Sequence, residues 1–588
     1  MTILLDLEIP RTLDLLVERL SAPGLKGSAV EAWVFENAES RAAAEDALSA
    51  LGVSARIGSA YKPLLHALLP AIEAGGLEVV TLRYPVCAGA AERRFLAEAY
   101  PLAALLPEGG FTAQAGTSTT FYEADLRYAD GRAETRRIFV PNVTRRDALG
   151  RETLSPCAWL RISGASHPEL DCDEPVGSDL ALAYDAAMSA VTGRDWGKSE
   201  PFFARLRIEV WIGGVERPLP FMHERMSTRE ALHEDLYFSL LEWFQHLTGR
   251  PEGDRTLRPG QIIPDIRPAD GPTRVRVSVE PHEPAAALVA ARAPTWDRCE
   301  AAPPLAEAYA GLAEIAGAPI LATSRQGREV RGVVVEGSGP PVLLTGGQHA
   351  NETSGVVGAL RAGAALASAG AAFALIAVEN PDGYALHQSF IAESPEHMHH
   401  AARYTALGDD LEYRTTPPLY EQEARNAALA QTGAQLHINL HGYPAHEWTR
   451  PLNGYLPRGF DAWALPKGFF LILRHHAGIE TYARALLERL TAQLARDPDL
   501  VALNRAQIAA YEAHAGPIGF PILNGIACAL VERPAQPTPL QLITEYPDET
   551  IHGDAFKLAH RVQMNAALFA RAIFAGDVEA GRWPVAIA

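Results

Sequence analysis

The sequence predicts an α/β protein in two unlike halves: an α+β N-terminal half, then a C-terminal domain with a mixed central sheet flanked by helices. Three observations lead there. After residue 300, continuous apolar runs alternate with helically spaced segments, as in a buried, parallel or mixed sheet. Hairpin signals cluster between residues 110 and 164. Between the two lies Glu280–Pro304, where Pro281, Pro284, Pro294, Pro303 and Pro304 stand among alanines, the composition of a linker.

Taken in order, Ala29–Glu36 reads as strand, Ser40–Leu51 as helix stopped by Gly52, and Val53–Ile57 as strand again. A helix over Tyr61–Ala74 ends at Gly75-Gly76, and Leu77–Tyr84 is strand-like. Residues 1–90 are therefore expected to form a small α/β domain. Tyr122–Tyr128 and Glu134–Val140 flank the turn signal Asp130-Gly131, and Ser227-x-x-Glu230 opens a long helix over Arg229–Leu247 with a capping box. Residues 91–295 form an α+β domain whose role the sequence does not indicate. In residues 296–588, strands are predicted at Val333–Val335, Pro341–Thr345, Phe373–Val378, Leu436–Leu440, Ile526–Val531 and Leu540–Thr544. Helices are predicted at Leu305–Ile315, Ser354–Ala369, Tyr482–Ala495 and Ala555–Phe574.

Composition narrows the function classes. The 588 residues carry a net charge of −19, with 48% hydrophobic and 21% charged residues, an ordinary globular balance. So acidic a surface repels phosphate backbones and anionic bilayers, so neither nucleic acid nor membrane is expected as partner. No run reaches the ~18 apolar residues of a spanning helix. The N-terminus lacks a basic region and places Asp6 and Glu8 in its apolar stretch, so no signal peptide is predicted. Five scattered cysteines without a Cys-x-x-Cys pair read as reduced thiols, and a cytoplasmic location is expected.

Several motifs fail on inspection. Gly193–Ser199 resembles a phosphate loop but is one residue short and follows a helical run. Gly-x-Ser-x-Gly is absent. His223-Glu224 and His233-Glu234 read as a solvated helix start. His397, His399 and His400 read as loop residues, not as a second metal site.

One signal stands out. Thr345-Gly-Gly-Gln-His349-Ala-Asn-Glu352-Thr-Ser-Gly355 follows an apolar strand and opens a helix, so one turn can aim His349 and Glu352 at a single point. An imidazole nitrogen and a carboxylate oxygen suit Zn²⁺. His441 ends another apolar strand and supplies a third ligand, whereas His437, mid-strand, reads as a hydrogen-bonded core histidine. With Asn380-Pro-Asp-Gly-Tyr384, His441-Gly-Tyr443 and Thr544-Glu545-Tyr-Pro-Asp548, the series resembles the zinc carboxypeptidase (carboxypeptidase A-like) metallopeptidase family over roughly residues 300–575. The opening motif also resembles the aspartoacylase and succinylglutamate desuccinylase branch.

The resemblance implies one zinc per chain on His349, Glu352 and His441, with a fourth position left for water. It makes Glu545 the general base that takes the proton of a water acidified toward pKa ~7, and Arg403 the group that stabilises the oxyanion. It places Tyr511 on a mobile loop over the substrate. The family's Asn-Arg pair for a terminal carboxylate meets Glu412 and Tyr413 here, with Arg414 one place late and so turned to the other face. A carboxylate such as Glu412 prefers donors, so a neutral or cationic group beyond the scissile bond is expected. The expected activity is hydrolysis of a peptide or small amide by a carboxypeptidase-like enzyme of atypical specificity. Its rivals are an N-acyl amino-acid deacylase and a catalytically inactive peptide-binding module. The N-terminal half is left to structure, substrate restriction or homo-oligomer formation.

Overall fold

In the C-terminal domain, strands that read as unbroken apolar runs are buried on both faces. The computed structural model describes residues 1–283, 285, 288–460 and 463–584; Pro284 of the expected linker lies outside the described residues. Nine strands form one mixed sheet in the order 318–323, 329–335, 371–376, 338–346, 436–444, 540–549, 470–475, 526–532, 522–523. Its centre is parallel: Ser338–Gly346 lies between Ala371–Ile376 and Leu436–Pro444, which in turn pairs with Leu540–Glu549. Antiparallel strands complete both sides.

Alternation along each strand feeds two cores. Val342 and Leu344 join the core under the helices Thr353–Ser368, Glu480–Leu494 and Asp554–Glu579. Leu343 and Ala374 face the helix Gln422–Thr432 on the other side. The six expected strands and four expected helices of this domain are present within a few residues. The strands 318–323 and 470–475, the short strand 522–523 and the helices 381–393, 422–432 and 498–515 were not expected.

The N-terminal half is α+β, built on three four-stranded sheets. Thr2–Ile9 pairs with Thr273–Glu280, Ala29–Val34 with Ala158–Ser163, and Leu77–Tyr84 with Phe121–Tyr128. The expected boundary at residue 90 runs through all three sheets, since each joins at least one strand of the first ninety residues to a later one.

The helix Thr228–Leu247 corrects a second expectation. Ser227 Oγ accepts the Glu230 N–H as a cap should, but the Glu230 carboxylate accepts from Met398 N–H and from His446 Nε2 at 2.9 Å. His233, Glu234 and Glu224 are buried, not solvated. The helix lies between its own sheet and the 395–404 and 445–455 segments of the C-terminal domain. His399 stacks on Phe390, and His400 Nδ1 meets Glu234 at 2.6 Å, so the 397–400 histidines are buried as well.

The segment after Pro444 docks into the N-terminal half through buried polar contacts. Lys62 pairs with Glu447, and Tyr61 Oη lies 2.8 Å from Thr449 Oγ1. Arg450, 1% exposed, pairs with Glu242 and Asp235 and donates to Ser239 at 2.9 Å. Burial raises the Asp235 carboxyl to about 6, with Arg450 opposing the rise. Removing one partner of a buried ion pair costs about 3–5 kcal/mol, because the other charges stay buried without it. Arg450→Ala is therefore expected to lose stability on that scale in urea unfolding. A loss under about 1 kcal/mol would mean that the docked segment does not depend on this contact.

Candidate metal centre and active site

The site begins at the carboxyl ends of two parallel strands, the usual place for ligands in such sheets. After Ser338–Gly346 the chain turns through Gly347 at φ +60°, which a side chain would strain, and delivers His349. Glu352 stands at the N-cap of the helix Thr353–Ser368, and His441 lies near the end of Leu436–Pro444. The three are buried, and their ligand atoms lie within 4.8 Å of one another. No other such group of His, Cys, Asp or Glu is found among the described residues.

The Nδ1 atoms of His349 and His441 are 3.0 Å apart. Glu352 Oε1 lies 2.8 Å from the first, and Oε2 lies 2.9 Å from the second. Two ring nitrogens and a carboxylate turned on one point make an anionic, electron-rich focus that a cation satisfies. Ligand atoms 2.0–2.1 Å from a tetrahedral zinc stand about 3.3 Å apart, close to this spacing. The donor set therefore fits Zn²⁺.

The surroundings hold the ligands in place. Asp410 Oδ2 lies 3.4 Å from His349 Nε2, the carboxylate–histidine arrangement that orients a metal ligand. Gly442 N–H donates to Glu352 Oε2 at 3.0 Å; a side chain at residue 442 would collide with Asp548. Arg403 Nη1 donates to Glu352 Oε1 at 2.7 Å. Burial works to raise Glu352, but His349, Arg403 and His441 outweigh it and hold the carboxylate well below its ordinary range. Burial lowers His441, with Glu352 opposing, which favours the neutral ring a metal ligand needs.

Glu545 is the register partner of His441 on the next strand and lines the same cavity. Burial, with the Glu352 carboxylate next, raises it well above the ordinary range, against Arg403 and Lys467. Lys467 Nζ stands 4.3 Å from the Trp463 ring centre, and burial lowers this ammonium to about 7 against the pull of Glu545.

The cavity measures about 220 Å³. Its sheet floor is ordered in rows by register: His441 beside Glu545, then Asn439, Ile543 and Ile472, then a row of His437, Gln541 and Arg474 of which Arg474 alone lines the cavity. Successive rows are two residues apart, about 6.6–6.8 Å along the strands. Phe238 and Arg255 come from the N-terminal half, so the cavity is walled by both halves. His437 is a core histidine, bonded to Thr345 and Gln541.

The remaining expected site residues divide. Glu412 and Tyr413 line the cavity, but the Glu412 carboxylate is already held by Arg425 at 2.6 Å and Arg474 at 2.7 Å. Arg414 follows the 3-10 turn Leu411–Tyr413, does not line the cavity and is fully buried against Asp409 and Glu421. Tyr511 lies outside the cavity. It sits within the helix Pro498–Ala515, packed by Tyr100 and Leu465, and not on a loop; the alanines around it continue the helix through residue 515. Arg474, Arg255, Phe238 and Lys467 were missed. Arg474 sits in an unpredicted strand, and the others carry no motif; the apolar run Phe469–Leu473 was the one legible signal.

No protein-family model matches the chain, and a search of curated proteins finds no match. Among solved structures, a metallo-carboxypeptidase from Burkholderia cenocepacia is similar over 52% of this chain and 77% of its own, with 13% identity and a TM-score of 0.28. An aspartoacylase family protein from Mesorhizobium loti is similar over 43% of this chain and 71% of its own, with 13% identity and a TM-score of 0.22. A succinylglutamate desuccinylase from Silicibacter sp. is similar over 43% and 64%, with 12% identity and a TM-score of 0.24.

If the three side chains hold zinc, the purified protein should carry about one zinc per chain by elemental analysis, and His441→Ala should lose most of it. Full occupancy in that variant would remove His441 from the site.

Proposed function

We propose that the chain is a zinc-dependent hydrolase of peptide or amide bonds acting on small substrates. The observation that carries this reading is the juxtaposition of the His349–Glu352–His441 focus with Glu545, on adjacent strands inside one cavity. Zinc held there supplies Lewis acidity and lowers the pKa of water. Glu545 would take the proton of the attacking water and return it to the leaving nitrogen. A carboxyl raised by burial is suited to such an exchange near neutral pH. Arg403 enters the cavity from the buried 400–404 turn and would meet the developing oxyanion. The presence of this base counts against an inactive binding module.

Size and charge refine the substrate. A cavity of about 220 Å³ lies below the 300–1,000 Å³ typical of ligand sites and admits a short chain. The expectation of a neutral or cationic leaving group rested on a free Glu412. With Glu412 held by two arginines, Arg474 becomes the relevant charge. Its Nη1 is used by Glu412 and Gln541, while Nε and Nη2 make no hydrogen bond to a described residue. Arg474 lies beyond the Ile472–Ile543 row from Glu545, where a carboxylate on the leaving group would arrive. The small, two-walled cavity also favours a second reading, deacylation of N-acyl amino acids, which would use the same groups.

Glu545→Gln should keep zinc and lose nearly all turnover; more than about a tenth of the rate remaining, roughly 1.4 kcal/mol of barrier, would remove its role as base. Dipeptides, longer peptides and N-acyl amino acids, each as free acid and amide, separate the substrate readings. The free acids should be preferred, and Arg474→Ala should cost them about 10- to 100-fold in kcat/KM while leaving the amides within about threefold, since a hydrogen bond to a charge contributes about 1.5–3 kcal/mol. A preference for amides would return Glu412 to the role expected from the sequence.

A further inference from the structure

A second cavity, of about 520 Å³, lies wholly within the N-terminal half. It opens between two sheet edges. Ser54–Ser59 ends the sheet that runs 172–176, 158–163, 29–34, 54–59, and Ala133–Phe139 ends the sheet that runs 111–115, 77–84, 121–128, 133–139. Register places Arg161, Glu31 and Arg56 in one row across three strands, and Trp159, Trp33 and Gly58 in the next. A Cβ at residue 58 would stand 3.0 Å from the Trp33 indole, so glycine makes room for the ring.

The lining charge is opposite to that of the chain. Arg41, Arg56, Arg137 and Arg161 face the cavity with only Glu31 and Glu45 as acids, in a protein of net charge −19. Arg161 is paired with Glu31 and Asp173. Arg56 is exposed and makes no hydrogen bond or ion pair to a described residue; Arg137 is exposed, stacks on Phe121 and has a carboxylate only at 3.9 Å. At the base, His66 lines the cavity and its Nε2 finds no partner among the described residues. Burial, and then Arg41, hold that ring neutral, with its pKa lowered to about 3.

We propose that this cavity binds a small organic anion, a molecule bearing a carboxylate or phosphate group, gripped by Arg56 and Arg137 above Arg41 and His66. An added peptide strand is disfavoured because the free edge is already closed at Ile57. Glu45 accepts its N–H at 2.5 Å, and Arg41 donates to its carbonyl at 2.9 Å. The volume lies within the range of small-molecule sites, and guanidinium groups match planar or tetrahedral oxyanions through paired N–H donors.

Calorimetric titration of the full-length, zinc-loaded protein with inorganic phosphate, and separately with glutarate, tests this and distinguishes the two anion chemistries. At least one is expected to bind saturably with a Kd below about 1 mM, and Arg56→Gln combined with Arg137→Gln should weaken it about tenfold or more. Arg132→Gln, an exposed arginine outside the cavity, should leave it unchanged. Circular dichroism establishes that the double variant is folded, and either single substitution serves if it is not. Absence of saturable binding by both anions would overturn the proposal. So would equal affinity in the variant, which would place the anion elsewhere, including the catalytic cavity.

Discussion

Two imidazole Nδ1 atoms stand 3.0 Å apart, each within 2.9 Å of its own oxygen of one carboxylate, so three metal-ligand types converge on a single point. Buried as they are, His349, Glu352 and His441 form a focus that a cation completes, and much of the surrounding structure serves to hold it. Gly347 turns the chain after one strand, and the helix at Thr353 fixes Glu352. The glycine after His441 gives its N–H to the same carboxylate, and Asp410 stands behind the His349 ring. Arg403 offsets the acid from the cavity side. Each of these neighbours restricts where the three lone-pair donors point, which is what separates a metal site from a chance cluster of polar side chains.

The same logic gives the N-terminal half a physical role. The segments 395–404 and 445–455 beside the candidate ligands lie outside the sheet, and such segments hold a geometry only when something packs against them. Here the helix Thr228–Leu247 does so. Glu230 binds the 398 backbone and His446, Glu234 binds His400, and Asp235 and Glu242 bind Arg450. Phe238 and Arg255 then close the cavity from above. The price of this clamp is a set of buried charges, and the cavity it helps to wall measures about 220 Å³.

The legibility of the site follows from locality. His349, Glu352, His441 and Glu545 could be read because each sits at the end of an apolar strand, where a motif of a few residues carries both the element and the ligand. The strands and helices of the C-terminal sheet were legible for the same reason. What escaped depends on contacts distant in sequence. The pairing of residues 2–9 with 273–280, across the expected division at residue 90, leaves no local signal in the sequence. The histidines at 397–400 are loop residues as read, but their burial was not legible because their partners lie on a helix some 160 residues earlier. Glu412 looked free because Arg425 and Arg474 come from other elements. Tyr511 looked like a loop residue because a family pattern was carried across a stretch that its own alanines make helical.

The most direct test of the account is zinc-edge anomalous diffraction from crystals of the full chain. One peak is predicted, bounded by Nδ1 of His349, Nδ1 of His441 and the Glu352 carboxylate at about 2.0–2.2 Å, with Glu545 facing its open side. A peak at the His397–His400 cluster with none at the triad, or no peak from zinc-saturated protein, would contradict it.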